Sequence, residues 1–235
     1  MKLAPLEKEL QQEADKERGS FLSGFFKTGK GQYGEGDIFL GISVPQLRFI
    51  AAKYIDLALS DIEQLLHAKF HEYRLTAVII LTEKYKKSTE SERIKIYSFY
   101  IKNARYINNW DLVDASADKI VGAYLFDKSR EKLYELAKSS NLWEKRIAII
   151  ATYQFIKQKE YKDTVGIAEI LLHDKHDLIQ KAVGWMLREV GKRVSQEKEE
   201  EFLKIHYKTM PRTMLRYAIE RFPEEKRKKY LKGSV

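Results

Sequence analysis

The sequence predicts an all-α protein built as a solenoid of stacked two-helix repeats, and three observations support this. Only 4 Pro and 12 Gly occur in 235 residues, against many helix-favouring Leu, Ile, Ala, Lys and Glu. Apolar residues recur at intervals of three and four, which is the period of a helix and not of a strand. Similar runs also return along the chain at nearly constant spacing, as in repeat proteins.

Composition and charge exclude several classes of function. The chain has no Cys, which excludes disulfides, thiol nucleophiles and zinc–thiolate sites and fits a reducing cytosol. No apolar run reaches the length of a membrane span, and residues 1–20 are too charged for a signal peptide, so a cytoplasmic protein is expected. The net charge of +9 is typical of nucleic-acid binders. A Lys-rich surface that only promotes solubility is the alternative.

Helix signals begin close to the N-terminus. Residues 3–18 have an amphipathic helical pattern, and Ser20 is expected to cap a second, short helix that ends near residue 28. The loop 29–37 contains a G-x-G-x-x-G match. Because this match follows a helix and not a strand, we interpret it as a loop without a phosphate-binding role.

Later helix starts are marked by capping patterns. Ser43, Ser60 and Thr89 each precede a Glu or Gln by three residues, which predicts capping boxes. Asp127 and Ser195 predict further N-caps. The connections between these helices are short and favour antiparallel neighbours.

Five helical runs define the repeat. They begin at intervals of 36, 36, 35 and 35 residues, at Arg74, Trp110, Arg146, Lys181 and Arg216. Each run is expected to open a helix, and each follows another helix that starts near 60, 90, 127, 161 or 195. The period lies below the usual HEAT range, so the repeat is HEAT-like. We expect one right-handed solenoid domain over residues 1–235, with buried runs at 77–81 and 147–151.

The stretch from Asn109 to Asp114 carries the functional prediction. Asn109 is a good N-cap, so Trp110 and Asp114 share one face in the first turn and a half of a helix. In the repeat register, Arg146 and Trp185 fall at corresponding positions of the next two repeats. We therefore expect two indoles, a carboxylate and a guanidinium to converge on the concave face, where solenoids bind extended ligands.

Each of these four residues also has a structural alternative. Either tryptophan fits a core residue, and Arg146 fits an inter-helix ion pair. Asp114 fits an exposed acid near a helix N-terminus, although that description suits Asp111 better. Their coincidence in one register favours the functional interpretation.

Basic residues concentrate in the second half of the chain, and on the same surface they would neutralise phosphates. The candidates for DNA binding are Lys145, Lys181, Arg188, Lys192, Arg193, Arg212 and Arg216. A solvated basic face is the alternative. The His67/His71 and His173/His176 pairs each share a helix face but lack a third ligand, so we interpret them as surface residues and expect no metal site.

Four segments resemble the bacterial DNA alkylation-repair glycosylases of the AlkD type. Three of them are Trp110–Asp114, Asn141–Arg146 and Gln180–Glu189. The fourth, Phe39-Leu40-Gly41-Ile42-x-x-Pro45 with Arg48 after it, is similar to the N-terminal signature of that family. The resemblance covers nearly the whole chain.

The resemblance implies a HEAT-like solenoid that grips double-stranded DNA and excises N3- and N7-alkylated purines. The catalytic Asp of the family corresponds to Asp114, its cleft tryptophans to Trp110 and Trp185, and its cleft arginine to Arg146. Some relatives lack the Asp and do not excise bases, so its presence here favours activity. The resemblance also implies contacts to backbone and sugar in place of a base-shaped pocket.

The sequence leaves alternatives for the further DNA contacts and for the function. The family places further aromatic and basic DNA contacts in the region 20–36, where Phe25, Phe26 and Tyr33 are the candidates. A cationic purine leaves without a general acid, which explains a site with no obvious His or protonated Glu. We expect a monomer that uses no metal or cofactor. The alternatives are a non-catalytic HEAT-like binder of DNA structure or damage, and a protein-interaction scaffold.

Overall fold

The structure is a computed structural model that describes residues 3–235. The chain divides into two compact units, Met1–Ile120 and Val121–Val235. Apart from an isolated β-bridge between Ile38 and Phe70, the regular secondary structure of the described residues is helical. The predicted all-α class is confirmed, whereas the single domain, the HEAT-like repeat, the right-handed superhelix and its concave face stay predictions.

The first unit is organised around one buried helix, α5. Its helices are α1 (Leu3–Gln12), α2 (Lys16–Phe25), α3 (Val44–Ala52), α4 (Leu59–Leu66), α5 (His71–Lys87), α6 (Glu90–Lys102), a short 3₁₀ helix (Ala104–Tyr106) and α7 (Trp110–Ala117). Helices α3, α4, α6 and α7 pack against α5, which is buried from His71 to Thr82. The run 77–81 is therefore in the core, as predicted. A helix buried on every side must find partners for its polar residues inside the protein.

The second unit is organised around α13. Its helices are α8 (Ala123–Leu125), α9 (Glu131–Ala137), α10 (Leu142–Ala151), α11 (Tyr153–Lys157), α12 (Lys162–Ile170), α13 (Asp177–Arg193), α14 (Gln196–His206), α15 (Arg212–Ala218), a 3₁₀ helix (Ile219–Arg221) and α16 (Glu224–Lys232). Helices α10, α11, α12, α14 and α15 pack against α13. The run 147–151 is buried, as predicted.

Several helix starts lie where the capping patterns predicted them. The side chains of Ser43, Asn109 and Ser195 each accept a hydrogen bond from a backbone amide in the first turn of the following helix. The carboxylate of Glu92 accepts from the Thr89 amide at 2.8 Å. These bonds satisfy amides that a helix leaves without partners in its first turn, so they define a start locally.

The single helix expected over residues 3–18 is wrong, because Asp15 starts a new helix in the middle of that range. Its side chain accepts from the backbone amide of Arg18 at 3.0 Å, and α2 begins at the next residue, Lys16. Ser20 consequently lies inside α2 and does not cap a helix.

Two further predicted caps are also wrong. Helix α4 begins at Leu59, one residue before the expected cap Ser60. Asp127 lies in a turn, where it pairs with Lys128 at 3.1 Å, and α9 begins only at Glu131. The start of α4 still agrees with the helix predicted to begin near residue 60, whereas α9 begins four residues after Asp127.

Candidate functional site

The first turn of α7 carries the two residues on which the functional prediction depends. The buried Asn109 side chain accepts a hydrogen bond from the Trp110 amide at 2.8 Å. Trp110 is therefore the first residue of α7, and Asp114 follows one turn later on the same face. Both side chains are half-buried. The first unit thus presents an indole and a carboxylate together at its surface.

An aromatic stack supports the Trp110 indole. The ring of Phe26 lies 5.3 Å from it at an interplanar angle of 15°, and Phe25 meets it edge-on at 6.3 Å. Phe26 in turn stacks on Phe39 at 4.9 Å. Phe26 is buried, whereas Phe25 is 56% exposed. Two of the aromatic candidates in the region 20–36 are therefore in contact with Trp110, and Tyr33 is half-buried in the following loop.

A buried network of charged groups lies beneath this stack, and the sequence did not reveal it. His71 Nε2 lies 2.8 Å from an Asp111 carboxylate oxygen, and its Nδ1 lies 3.5 Å from Asp37. Arg74 donates to the other oxygen of Asp37 at 2.6 Å. Asn109 Nδ2 also donates to Asp37, at 3.1 Å. The network therefore joins α5, α7 and the loop that contains Asp37.

These contacts determine the charge of His71. Burial is the largest influence and disfavours the imidazolium, but Asp111 and Asp37 outweigh it and raise the pKa of His71 to about 9. Burial is also the largest influence on Asp37 and raises its pKa, but the contact with His71, the charge of Arg74 and the hydrogen bond from Asn109 outweigh it, so the pKa of Asp37 is lowered. The expectation that His71 is a surface residue is wrong, since only 2% of it is exposed.

Asp114 lies close to a second polar group of the first unit. The Tyr100 hydroxyl is fully buried and lies 2.8 Å from the Ser116 hydroxyl. Burial raises the pKa of Tyr100, and the negative charges of Asp118 and Asp114 raise it further. Tyr100 is consequently a neutral hydroxyl. Helix α7 continues into a π-helix, Asp118–Gly122, a type of irregularity that is frequent at functional sites.

The repeat register needs one correction. Trp110 does open its helix, but Arg146, Lys181 and Arg216 are each the fifth residue of theirs. Counted from the helix start, the residue of α7 that corresponds to them is Asp114. Because residues four apart share a helix face, the predicted face is unchanged. The convergence of the four candidates on one strip stays a prediction.

Arg146 is a buried residue of the second unit. It is 5% exposed, and its Nη1 donates to the backbone carbonyl of Leu178 at 2.6 Å. This bond ties α10 to the first turn of α13. This hydrogen bond differs from the inter-helix ion pair weighed from the sequence, which stays a prediction.

Trp185 lies on α13 and is half-buried. Its ring is 6.1 Å from that of Tyr153, and the Arg193 guanidinium lies 5.2 Å from the same tyrosine ring. Trp143, at 7% exposure, is a core residue instead. Neither of the two candidate tryptophans is therefore buried as a core tryptophan would be.

The seven candidate DNA-binding residues fall into two groups. Four are in ion pairs, namely Lys145 with Asp174, Lys181 with Asp177 at 2.8 Å, Arg188 with Glu220, and Arg193 with Glu189 at 2.7 Å. The other three, Lys192, Arg212 and Arg216, are exposed. Arg212 donates to the backbone carbonyl of Leu231 at 2.9 Å.

The remaining sequence candidates have structural roles. The amides of Gly29 and Gly31 donate to the side chains of Gln32 and Glu35 at 3.0 and 2.8 Å. The Gly-rich loop therefore uses these amides itself, in agreement with its interpretation as a simple loop. Within residues 3–235, no three His, Asp or Glu side chains are grouped as a metal site would need. No helix in that range is long and apolar enough to cross a membrane.

Comparison with solved structures identifies the class of fold. The chain is similar to a structure described as a predicted DNA alkylation repair enzyme from Enterococcus faecalis, with a TM-score of 0.70. The match covers 90% of this chain and 98% of that one at 17% identity, so it establishes the fold. A search of curated proteins gave no match.

Comparison with family models identifies the family. Residues 6–222 match the model of the DNA alkylation repair enzymes. This chain therefore belongs to the DNA alkylation repair enzyme family. Membership supports an enzymatic role in the repair of alkylated DNA, and DNA as the substrate.

Proposed function

We propose that this protein is a DNA glycosylase that hydrolyses the N-glycosidic bond of cationic N3- and N7-alkylpurines in double-stranded DNA. One observation carries the proposal: a half-buried carboxylate, Asp114, lies one turn from a half-buried indole, Trp110, in a chain of net charge +9. Family membership supports the DNA-repair part of the proposal. The enzyme would act as a monomer on nucleoid DNA in the cytoplasm.

The chemistry follows from the charge of the lesion. Alkylation at N3 or N7 makes the purine a cation, so the base leaves as a neutral molecule without being protonated. As the bond between C1′ and the base breaks, its electron pair goes to the purine and positive charge builds on the deoxyribose. Asp114 placed beside C1′ would stabilise that charge more in the transition state than in the ground state. Water then bonds to C1′ and loses a proton, which leaves an abasic site.

The other candidates have binding roles in this proposal. Trp110 and Trp185 would place indole faces against the cationic base or sugar, each contributing about 1–2 kcal/mol when desolvated. Arg146, with Nη1 held by the Leu178 carbonyl, would contact a flanking phosphate. The seven basic residues described above would neutralise phosphates along the duplex.

The test is base release from a duplex that contains 7-methylguanine. The wild-type protein should release the free base and leave an abasic site. Asp114→Asn keeps the size of the side chain but removes its charge, so the single-turnover rate constant should fall by about 10²–10³-fold with DNA affinity within about twofold. Asp127→Asn is the matched control, because Asp127 is an exposed acid of the second unit.

The outcomes separate the proposal from its alternatives. Asp127→Asn should release base at the wild-type rate. If the wild-type protein binds the duplex and releases no base, the chain is a non-catalytic DNA binder. If it also fails to bind DNA, a protein-interaction scaffold becomes the better description. Base release that survives in Asp114→Asn would show that another group stabilises the transition state.

A further inference from the structure

Both neighbours of Trp110 in the chain are anchored inside the first unit. Asn109, before it, donates from its amide to Asp37 at 3.1 Å. Asp111, after it, holds His71 Nε2 at 2.8 Å with one carboxylate oxygen and accepts from the Leu112 amide with the other. The first turn of α7 is therefore fixed on both sides of the indole by groups that converge on His71 and Asp37.

His71 also supports the indole through the aromatic stack. Its ring lies 4.6 Å from Phe39 and 5.0 Å from Phe26, and Phe26 stacks directly on Trp110. The imidazole thus supports Trp110 through two sets of contacts. It pairs with Asp111, the next residue in the chain, and it packs against Phe26, which stacks on the indole. A single side chain, 2% exposed, connects both supports.

We propose that His71 is a positioning residue: as an imidazolium held between Asp37 and Asp111, it fixes the first turn of α7 and so orients Trp110 and Asp114. Loss of its proton would loosen that turn. The consequence for base release rests on the glycosylase function proposed above, whereas the orientation of Trp110 does not.

The charges around His71 explain why its proton matters. Two carboxylates, Asp37 and Asp111, face two cations, Arg74 and protonated His71, so the buried group is balanced. Glu72, the adjacent acid on α5, is turned away and accepts from the amides of Leu40 and Gly41. Neutral imidazole would leave one negative charge in excess in this buried group. It has only one N–H, so it would lose either the 2.8 Å hydrogen bond to Asp111 or the 3.5 Å ion pair with Asp37.

The position of Trp110 can be measured without any assay of activity. The chain has three tryptophans, and 5-fluorotryptophan labelling should give three ¹⁹F resonances, with that of Trp110 assigned by its loss in Trp110→Phe. We expect the Trp110 resonance to titrate with a midpoint at pH of about 9, the pKa of His71. In His71→Gln that titration should be absent. His67→Gln, the same change at an exposed histidine, should retain it.

Far-ultraviolet circular dichroism of the helical chain, compared with the wild-type protein, reports whether each variant is folded. If His71→Gln fails to fold, Asp111→Asn provides the second test, because loss of the Asp111 charge should move the Trp110 midpoint to lower pH. A Trp110 resonance that is constant from about pH 7 to about pH 10 in the wild-type protein would overturn the proposal. So would a titration that His71→Gln leaves unchanged.

Base release supplies the functional readout. In His71→Gln, the single-turnover rate constant should fall by about 10–100-fold while DNA affinity stays within about twofold, because Asp114 is misplaced and phosphate contacts are not. The wild-type rate should decline above about pH 9, and the variant should lack that decline. If His71→Gln and the wild-type protein have equal rate constants and equal pH profiles, His71 does not influence base release. Absence of base release in the wild-type protein, with Trp110 still following His71, would support the positioning role and reject the glycosylase function.

Discussion

The charges that support Trp110 in the first unit and the DNA-binding candidates of the second unit are held in opposite ways. Around Trp110 the supporting charges are buried, with side-chain exposures of 2% for His71 and 6% for Asp37. In the second unit, the DNA-binding candidate Lys181 is 35% exposed and pairs with Asp177, which is 46% exposed. Breaking a buried pair strands a charge away from water, whereas an exposed pair contributes little. Rigid placement is therefore concentrated beside α7, while the basic residues can exchange acids for phosphates at small cost.

The two units should differ most in their response to the loss of one arginine. Arg74→Met removes one cationic partner of buried Asp37, together with two hydrogen bonds to the backbone carbonyls of Ala68 and Lys69. The free energy of unfolding should fall by about 3–5 kcal/mol. Arg188→Met is the matched change in the second unit, where the partner Glu220 is 58% exposed, and should cost less than about 1 kcal/mol. Urea unfolding measures both, and equal losses would contradict the contrast.

The first unit should also lose stability in alkaline solution. Folded His71 keeps its proton up to pH of about 9, whereas the unfolded chain releases it near pH 6.5. Between these values the folded state binds more protons, so its stabilisation is complete below pH 6.5 and is lost as the pH rises towards 9. The loss should be roughly 3 kcal/mol in urea unfolding. His71→Gln should remove this slope, and an unchanged slope would mean that another group titrates.

The second unit contains a buried acid, Glu199, which should change the stability at lower pH than His71 does. Burial is the main cause that raises the pKa of Glu199 from 4.5 to about 8, and the neighbouring Glu200 adds to it. Stability from this group is therefore present below pH 4.5 and is lost as the pH rises to about 8. Glu199→Gln keeps a neutral side chain against Gly191 and should gain about 2 kcal/mol at pH 6, which is 1.5 units above the unfolded pKa of 4.5. A loss of stability at that pH would show that the carboxylate is ionised and partnered.

The sequence was informative wherever the cause of a structure is local. The caps at Asn109 and Ser195 were predictable because the capping side chain and the amide it binds lie within three residues of each other. Helical periodicity likewise identified the buried run 147–151, since the pattern and the burial belong to the same helix. The placement of Trp110 and Asp114 on one face follows from the same reasoning.

The network beneath Trp110 was not predictable, because its partners are distant in sequence. His71 and Asp111 are separated by 40 residues, and Asn109 and Asp37 by 72. No local pattern marks such pairs, and a histidine on a helix has no signature of burial. One signal was present: Asp111 lies in the first turn of a helix with a good N-cap, where an acidic side chain is favoured.

The smallest expected effect concerns the basic residues of the second unit and their salt dependence. Arg216 is exposed, so a phosphate that it contacts releases about one counterion, and Arg216→Ala should lower the slope of log affinity against log salt by about 1. Lys145 is 19% exposed and pairs with Asp174, so Lys145→Ala should change the slope by less, because the lysine must leave its acid to reach DNA. Titrations of an undamaged duplex at several salt concentrations measure both slopes. Equal reductions would mean that the ion pair opens on DNA at no cost, and unchanged slopes in both variants would remove these two residues from the proposed DNA contacts.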